Sequence, residues 1–258
     1  MAIGCEHGAA CHDGTEPSAA SAPEASRAWL LVEHPGPWPA EATEAELPDP
    51  LAGLVTFAAA LGIRVQLIRR PGRRPASDLR SVFTGWTAGG APWLRHGQLP
   101  AGPLPSDPLP AGPLPSDPLP SDRGPAGFDL RELDLKELAA GITPAFGAPV
   151  TEPVYLVCAH ARRDACCARF GAPLAQALAT RHPGQVWETT HVGGHRFAAN
   201  LVILPHGRYY GPVGVAQAAA AIDAYTEGTV SPWRYRGRAG QPKPEQQAEY
   251  ESLVALEG

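Results

Sequence analysis

The sequence predicts a mixed α/β protein made of two tandem units that repeat one order of elements. Short apolar runs with the character of buried strands alternate with helical-period segments along the chain. The order strand, helix, strand, hairpin, helix can be read once before and once after a proline-rich interruption. At 258 residues the chain suffices for one large or two small domains, each able to bury a core.

The elements follow in order. Residues 1 to 26 are small and polar and read as a disordered tail, with structure expected to start at Trp29. AWLLVE is a short buried-strand pattern, and LPDPLAGLVTFAAALG offers a helix with proline near its start and Gly62 at its end. IRVQLIRR alternates as a second strand, RSVFTGW reads as a third, and TAGGAPWL turns into a fourth. From residue 99 to 118 the segment LPAGPLPSDP occurs twice in tandem, followed by a truncated copy, LPSD. Four prolines per copy exclude a helix or a central strand, so residues 99 to 122 are expected to be an extended insertion in a permissive loop. FDLRELDLKELAAGI resumes a helical period that should pack back on the first sheet.

After the AFGAPVTEP connector the order recurs. VYLVCAH reads as a strand, GAPLAQALATRHPG as a helix ending at Gly184, and QVWETTHVGG as a second strand. FAANLVILPHGRYYGPV reads as a hairpin turning at His206 and Gly207, and VAQAAAAIDAYTEG as a closing helix. The remainder, from VSPWRYRG onward, begins irregular and ends in a short helix. This is the thioredoxin-like order. The expected division is a tail over 1–26, a ligand-free thioredoxin-like unit over 27–148 and a second unit with a C-terminal tail over 149–258.

Composition narrows the function classes. A formal net charge of -5 gives no global case for nucleic acid, and the two lysines against nineteen arginines look like coding bias rather than phosphate binding. Five cysteines, an odd number with Cys166 and Cys167 adjacent, do not resemble a secreted disulfide framework, so the reducing cytoplasm is the expected compartment. The N-terminus lacks the basic and apolar regions of a signal peptide, and no apolar run reaches membrane-spanning length.

The chemistry gathers between Val154 and Gly207. Cys158 and Cys167 stand with eight residues between them, and His191 and His195 with three, in HVGGHRF. Two thiolates and two imidazoles suit zinc or an iron-sulfur cluster. A structural zinc knuckle closes on two to four intervening residues, which AHARRDAC exceeds; a 2Fe-2S cluster is a wider object and can take two cysteines on one iron and two histidines on the other.

The runs VYLVCAHARRDACCARFGAPLAQAL and VWETTHVGGHRFAANLVILPHGRYYGPV, with the RGRAGQPKPEQQAEY tail, resemble the sucrase/ferredoxin-like family. The likeness is close over the C-terminal 110 residues or so and looser at WLLVEHPGPW. It implies a thioredoxin-like ferredoxin with Cys158, Cys167, His191 and His195 as ligands to a 2Fe-2S cluster, accepting single electrons from a reductase and passing them to an acceptor. "Sucrase" carries little weight, because no pair of carboxylates is marked out as acid and nucleophile.

Cys158 is expected at the end of a buried strand, Cys167 at the far side of the loop before the helix, and both histidines on a glycine-loosened loop. Neutral imidazoles in place of two thiolates should raise the potential above that of an all-cysteine ferredoxin and couple it to protons. Arg162, Arg163 and Arg196 are candidates to offset cluster charge or form a docking face, set against the plainer reading of solvated surface charges. Cys166 is read as a core thiol or one beside the ligands, His160 and His206 as turn or surface residues, and Cys5, His7, Cys11 and His12 as tail residues with incidental metal affinity. Two other classes stand beside the electron carrier. One is a thiol-disulfide oxidoreductase using Cys158 with Cys166 or Cys167, which lacks a Cys-x-x-Cys dithiol; the other is a zinc-stabilised interaction module.

Overall fold

In the computed structural model, residues 19–72, 77–101 and 133–257 are described. They form β1 (Ala28–Glu33), α1 (Leu51–Ala60), β2 (Arg64–Arg69), β3 (Leu79–Trp86), β4 (Trp93–Pro100), α2 (Leu135–Ala139), β5 (Ala148–Pro149), β6 (Val154–Cys158), α3 (Ala165–Arg181), β7 (Val186–Thr189), β8 (Leu201–Leu204), β9 (Arg208–Tyr210), α4 (Val215–Thr226), β10 (Tyr235–Arg238) and α5 (Lys243–Glu257). All ten strands belong to one mixed sheet, in the order β10-β9-β8-β6-β7-β2-β1-β3-β4-β5.

One pairing scheme occurs twice in that sheet. β1 is parallel to β2 and antiparallel to β3, which turns back into β4; β6 is parallel to β7 and antiparallel to β8, which turns back into β9. The two sets meet where β2 and β7 pair antiparallel, Ile68 opposite Thr189 and Arg69 opposite Glu188. Their side chains lock the junction: Arg69 Nε donates to Glu188 at 2.7 Å while its guanidinium lies 4.2 Å from the Trp38 ring.

The sheet is curled. β3 and β7 stand three places apart, which in a flat sheet is about 14 Å, yet the Phe83 and Trp187 rings pack edge to face at 5.6 Å. β3 and β10 are seven places apart, about 34 Å if flat, yet Arg238 Nη2 donates to Gly89 O at 3.2 Å. The concave face therefore encloses one core drawn from both sets of strands, including Trp29, Phe83, Leu156, Cys158, Trp187 and Tyr209. On the convex face α1 and α2 cover the first set with Leu51, Val55, Leu135 and Leu138, and α3 and α4 cover the second with Leu174, Leu178, Ala218 and Ile222. Continuous burial of VYLVC on β6 follows from this two-sided cover.

Several expectations change. The N-terminal tail ends sooner than residue 26: the Ser21 and Ala22 N–H groups donate to Arg236 O at 2.8 and 3.0 Å, and Ala22 is buried. Residues 1–18 lie outside the described ones, and with them Cys5, His7, Cys11 and His12. The proline repeat also falls almost wholly outside, except that Leu99 and Pro100 close β4 at its pairing with Leu79 and Arg80. Of the expected FDLRELDLKELAAGI helix, the described part is α2, begun by Asp134, whose carboxylate accepts from the Lys136 and Glu137 N–H groups. The stretch read as irregular after α4 contains β10, and the connector contains β5.

The most consequential correction is the start of α3, which precedes Gly171 by six residues and takes in Cys166 and Cys167. Asp164 starts it, its side chain accepting from Cys166 N–H at 2.8 Å. Pro173 stands inside the helix. Gly171 faces the end of β6, and a methyl group built there would overlap the Cys158 carbonyl oxygen.

Gly171→Ala is expected to push α3 off β6 and cost roughly 1–3 kcal/mol of stability, measured by urea unfolding. His34, His96, His160, His182 and His206 all have pKa values lowered from 6.5, burial being the largest cause in each. Their native forms bind fewer protons than the unfolded chain, so this contribution is whole above pH 6.5 and is lost as pH falls through the lower folded values. Unfolding free energy is expected to drop between pH 7.5 and 5.5; a flat profile over that range contradicts the assignment.

Candidate metal centre

Three donors converge at the open end of β6. The sulfurs of Cys158 and Cys167 and a ring nitrogen of His191 all lie within 4.8 Å of one another, and Cys167 Sγ is 3.9 Å from His191 Nδ1. Cys158 ends the central strand and Cys167 sits in the first turn of α3, so the contact of that helix with β6 at Gly171 sets the sulfur pair. Both cysteines are buried, and neither they nor Cys166 form a disulfide. His195 belongs to the same loop but not to this three-donor group; its ring centre is 6.2 Å from that of His191.

The two thiols differ sharply. Cys158 is held well below its ordinary pKa, chiefly because the Cys167 thiol donates to it, with further help from His191 and the His160 backbone against the penalty of burial. Cys167 is pushed up, first by that same hydrogen bond and then by burial. The hydrogen bond from Cys167 thus favours thiolate character on Cys158. A metal held there would displace the remaining thiol proton, so its affinity would rise with pH.

Polar groups on both halves hold the His191 loop. His191 N–H donates to His160 Nδ1 at 3.2 Å, and His160 Nε2 is 2.8 Å from Pro39 O; together these define an imidazole protonated on Nε2. Burial, the leading cause, lowers the His160 pKa and favours that neutral form. Arg64 Nη2 donates to His191 O at 3.2 Å, while Gln66, with its amide nitrogen toward Thr190, accepts from Arg64 Nε at 3.1 Å. Asn200 donates through Nδ2 to Gly194 O at 3.0 Å, and its own carbonyl accepts from Cys158 N–H at 3.1 Å, tying loop to strand. Beside His191 a cleft of about 230 Å³ opens between Glu41, Arg64, His160 and Arg163.

Comparison with known families agrees with this geometry. The sucrase/ferredoxin-like family matches residues 20–237. The chain belongs to that family. Neither the curated proteins nor the solved structures contain a match. The family match takes in the N-terminal half as well as the segment that carried the resemblance, and it stops within β10, short of α5.

In this sucrase/ferredoxin-like protein, the expected surface residue His160 is instead 2% exposed and braces His191. His206 does lie in the hairpin turn, half-buried with Nδ1 against the Tyr225 hydroxyl at 2.5 Å. Of the arginines, Arg162 and Arg163 are exposed, Arg163 paired with Glu41 at 2.7 Å, and Arg196 lies 4.7 Å from the Phe197 ring. Sequence reasoning passed over Asn200 and Arg236. Asn200 is fully buried in a run of apolar residues, which was its one readable signal. Arg236 lies in a tail that had looked irregular.

Titration of the metal-free protein with cobalt(II), followed by thiolate-to-metal absorption, is expected to give about tenfold weaker binding for His160→Phe and for Asn200→Ala than for wild type. Equal affinities would mean that neither side chain positions a donor.

Proposed function

We propose that this protein is an electron carrier holding one 2Fe-2S cluster through Cys158, Cys167, His191 and His195. The observation that carries the reading is the convergence of two buried sulfurs and a His191 nitrogen within 4.8 Å, in a chain of the sucrase/ferredoxin-like family. Such a cluster, when bound, supplies reversible one-electron storage. The donor chemistry fits it: soft sulfurs at the floor, imidazole at the cleft, and a Tyr209 hydroxyl buried in the same core with no hydrogen-bond partner among the described residues.

The protein's own groups do the rest. Cys158 and Cys167 give up the remaining thiol proton and contribute negative charge, while burial in the concave core keeps water from the sulfurs. His191 and His195 bind through one ring nitrogen each, leaving the other to hold or release a proton, so electron and proton transfer are linked. The cleft beside His191 gives solvent a path for that proton. A reductase and an acceptor protein are the partners this chemistry needs, and the cytoplasm is the compartment that suits reduced thiols. The doubled strand scheme supports two thioredoxin-like units, 27–148 and 149–258, with ligands only in the second.

A zinc-stabilised module is the second reading, favoured by the compactness of the donors. With Zn–S of about 2.3 Å and Zn–N of about 2.0 Å, a tetrahedral S···N edge is about 3.5 Å, near the 3.9 Å from Cys167 Sγ to His191 Nδ1. The burial of Cys158, Cys166 and Cys167, the cysteines among the described residues, weighs against thiol-disulfide exchange, which needs an accessible thiolate.

Anaerobic purification with iron and sulfide analysis separates these readings. The expected result is a red-brown protein with about two irons and two sulfides and a Rieske-like EPR signal after reduction; a colourless protein with one zinc, even after reconstitution, moves the function to the second reading. His195→Cys is expected to retain the cluster at a lower potential with weaker pH dependence, and an unchanged potential-against-pH curve removes His195 from the ligand set.

A further inference from the structure

Arg236 is a buried cation beside the metal centre, 1% exposed. Its guanidinium donates to Ser21 Oγ at 3.0 Å, Ser21 O at 2.8 Å, Gly193 O at 3.2 Å and Asn200 Oδ1 at 2.6 Å. Every acceptor is neutral, and among the described residues no carboxylate forms an ion pair with it. Gly193 lies in the loop between His191 and His195, so the charge is fixed against the backbone of the histidine ligands. The guanidinium also lies 4.6 Å from the Phe197 ring and 5.5 Å from the Tyr209 ring.

A buried guanidinium bonded only to neutral oxygens is costly unless a negative group nearby offsets it. Burial lowers the Arg236 pKa to about 10, and it is partly restored first by Tyr209 and, to a smaller extent, by the thiolate of Cys158. Arg64 and Arg196 add positive field from the same surroundings. Tyr209 contributes a second unused capacity. It is fully buried in the core cluster of Cys158 and Cys167, and its hydroxyl has no hydrogen-bond partner among the described residues. An O–H kept dry without an acceptor is uncommon, and sites that await an anion are one place where it occurs.

We propose that Arg236, with the Tyr209 hydroxyl beside it, sets the charge of the centre's surroundings and biases the cluster toward its reduced state. This rests on the 2Fe-2S reading given above. One-electron reduction by a low-potential donor adds one negative charge to the centre and breaks no bond; a fixed cation and a proton-donating hydroxyl both stabilise that added charge more than the oxidised state. Arg236 acts through the field and through the loop it holds, so it is a positioning residue.

The test is a dithionite redox titration of the reconstituted full chain, with iron and sulfide measured on the same samples. Arg236→Gln is expected to keep iron and sulfide but to lower the reduction equilibrium constant about tenfold, about 59 mV for one electron. Arg236→Lys, which retains the charge, should return to within about threefold of wild type, a rescue that loop positioning by the planar fork alone would not produce. Tyr209→Phe removes only an unpartnered oxygen and is expected to fold as wild type with a lowered potential, so it decides the matter even if Arg236→Gln misfolds. A loaded Arg236→Gln or Tyr209→Phe protein at wild-type potential overturns the proposal, as does an Arg236→Lys protein that falls as far as Arg236→Gln. Wild-type protein that takes up no iron and sulfide overturns the cluster reading instead.

Discussion

The pairing of β2 with β7 is the constraint on which the rest depends. Only two residue pairs make it, Ile68 with Thr189 and Arg69 with Glu188, yet it joins two five-stranded halves into one sheet. It also brings Arg64 and Gln66 of β2 alongside Thr190 and His191, which follow β7. Because the joined sheet curls, its concave face can be closed without a covering helix layer. Phe83 meets Trp187 across that face, and the segment around Ala22 packs with Ala239 into the same core.

This arrangement explains why the half of the chain that carries none of the candidate donors is part of the site. Pro39 orients His160, and Arg64 holds the His191 carbonyl, so both backbone groups of His191 are fixed by side chains rather than by strand pairing. A loop with Gly193 and Gly194 both at positive φ would otherwise have little to set it. At Gly194 a side chain would also collide with the Arg236 guanidinium, so the glycine serves close packing as well as turn geometry. Rigid support around a donor loop decides affinity and potential as much as the identity of the donors does.

The centre is also asymmetric in charge. The sulfurs sit on the buried side, where the Arg236 cation and the Tyr209 hydroxyl face the same core, and the imidazole of His191 borders the cleft. On the proposed reading, charge would be stabilised from within and protons exchanged from without. The exposed Arg163 is paired with Glu41, whereas Arg236 lies in the interior.

Much of the local structure was legible in the sequence. AWLLVE, RVQLIR and VYLVC carry their strand character in apolar residues a few positions apart, Gly62 marks the end of α1, and the Cys and His spacing points to a metal. The start of α3 at Asp164 was not read, and the helix was expected only from Gly171. Such signals are local because periodicity, caps and turns act within a few residues. Other features arise only when distant segments meet: the bond from Arg236 to Ser21 spans 215 positions, that from Arg236 to Gly193 spans 43, and that from His160 to Pro39 spans 121. No local pattern encodes them, since their energy comes from satisfying buried polar groups after the sheet has curled. The sequence by itself determined most of the strands, the main helices and the candidate donors, of which Cys158, Cys167 and His191 come together; the tertiary structure decided that one sheet encloses them and that Arg236 and Tyr209 lie beside them, because those contacts join distant segments.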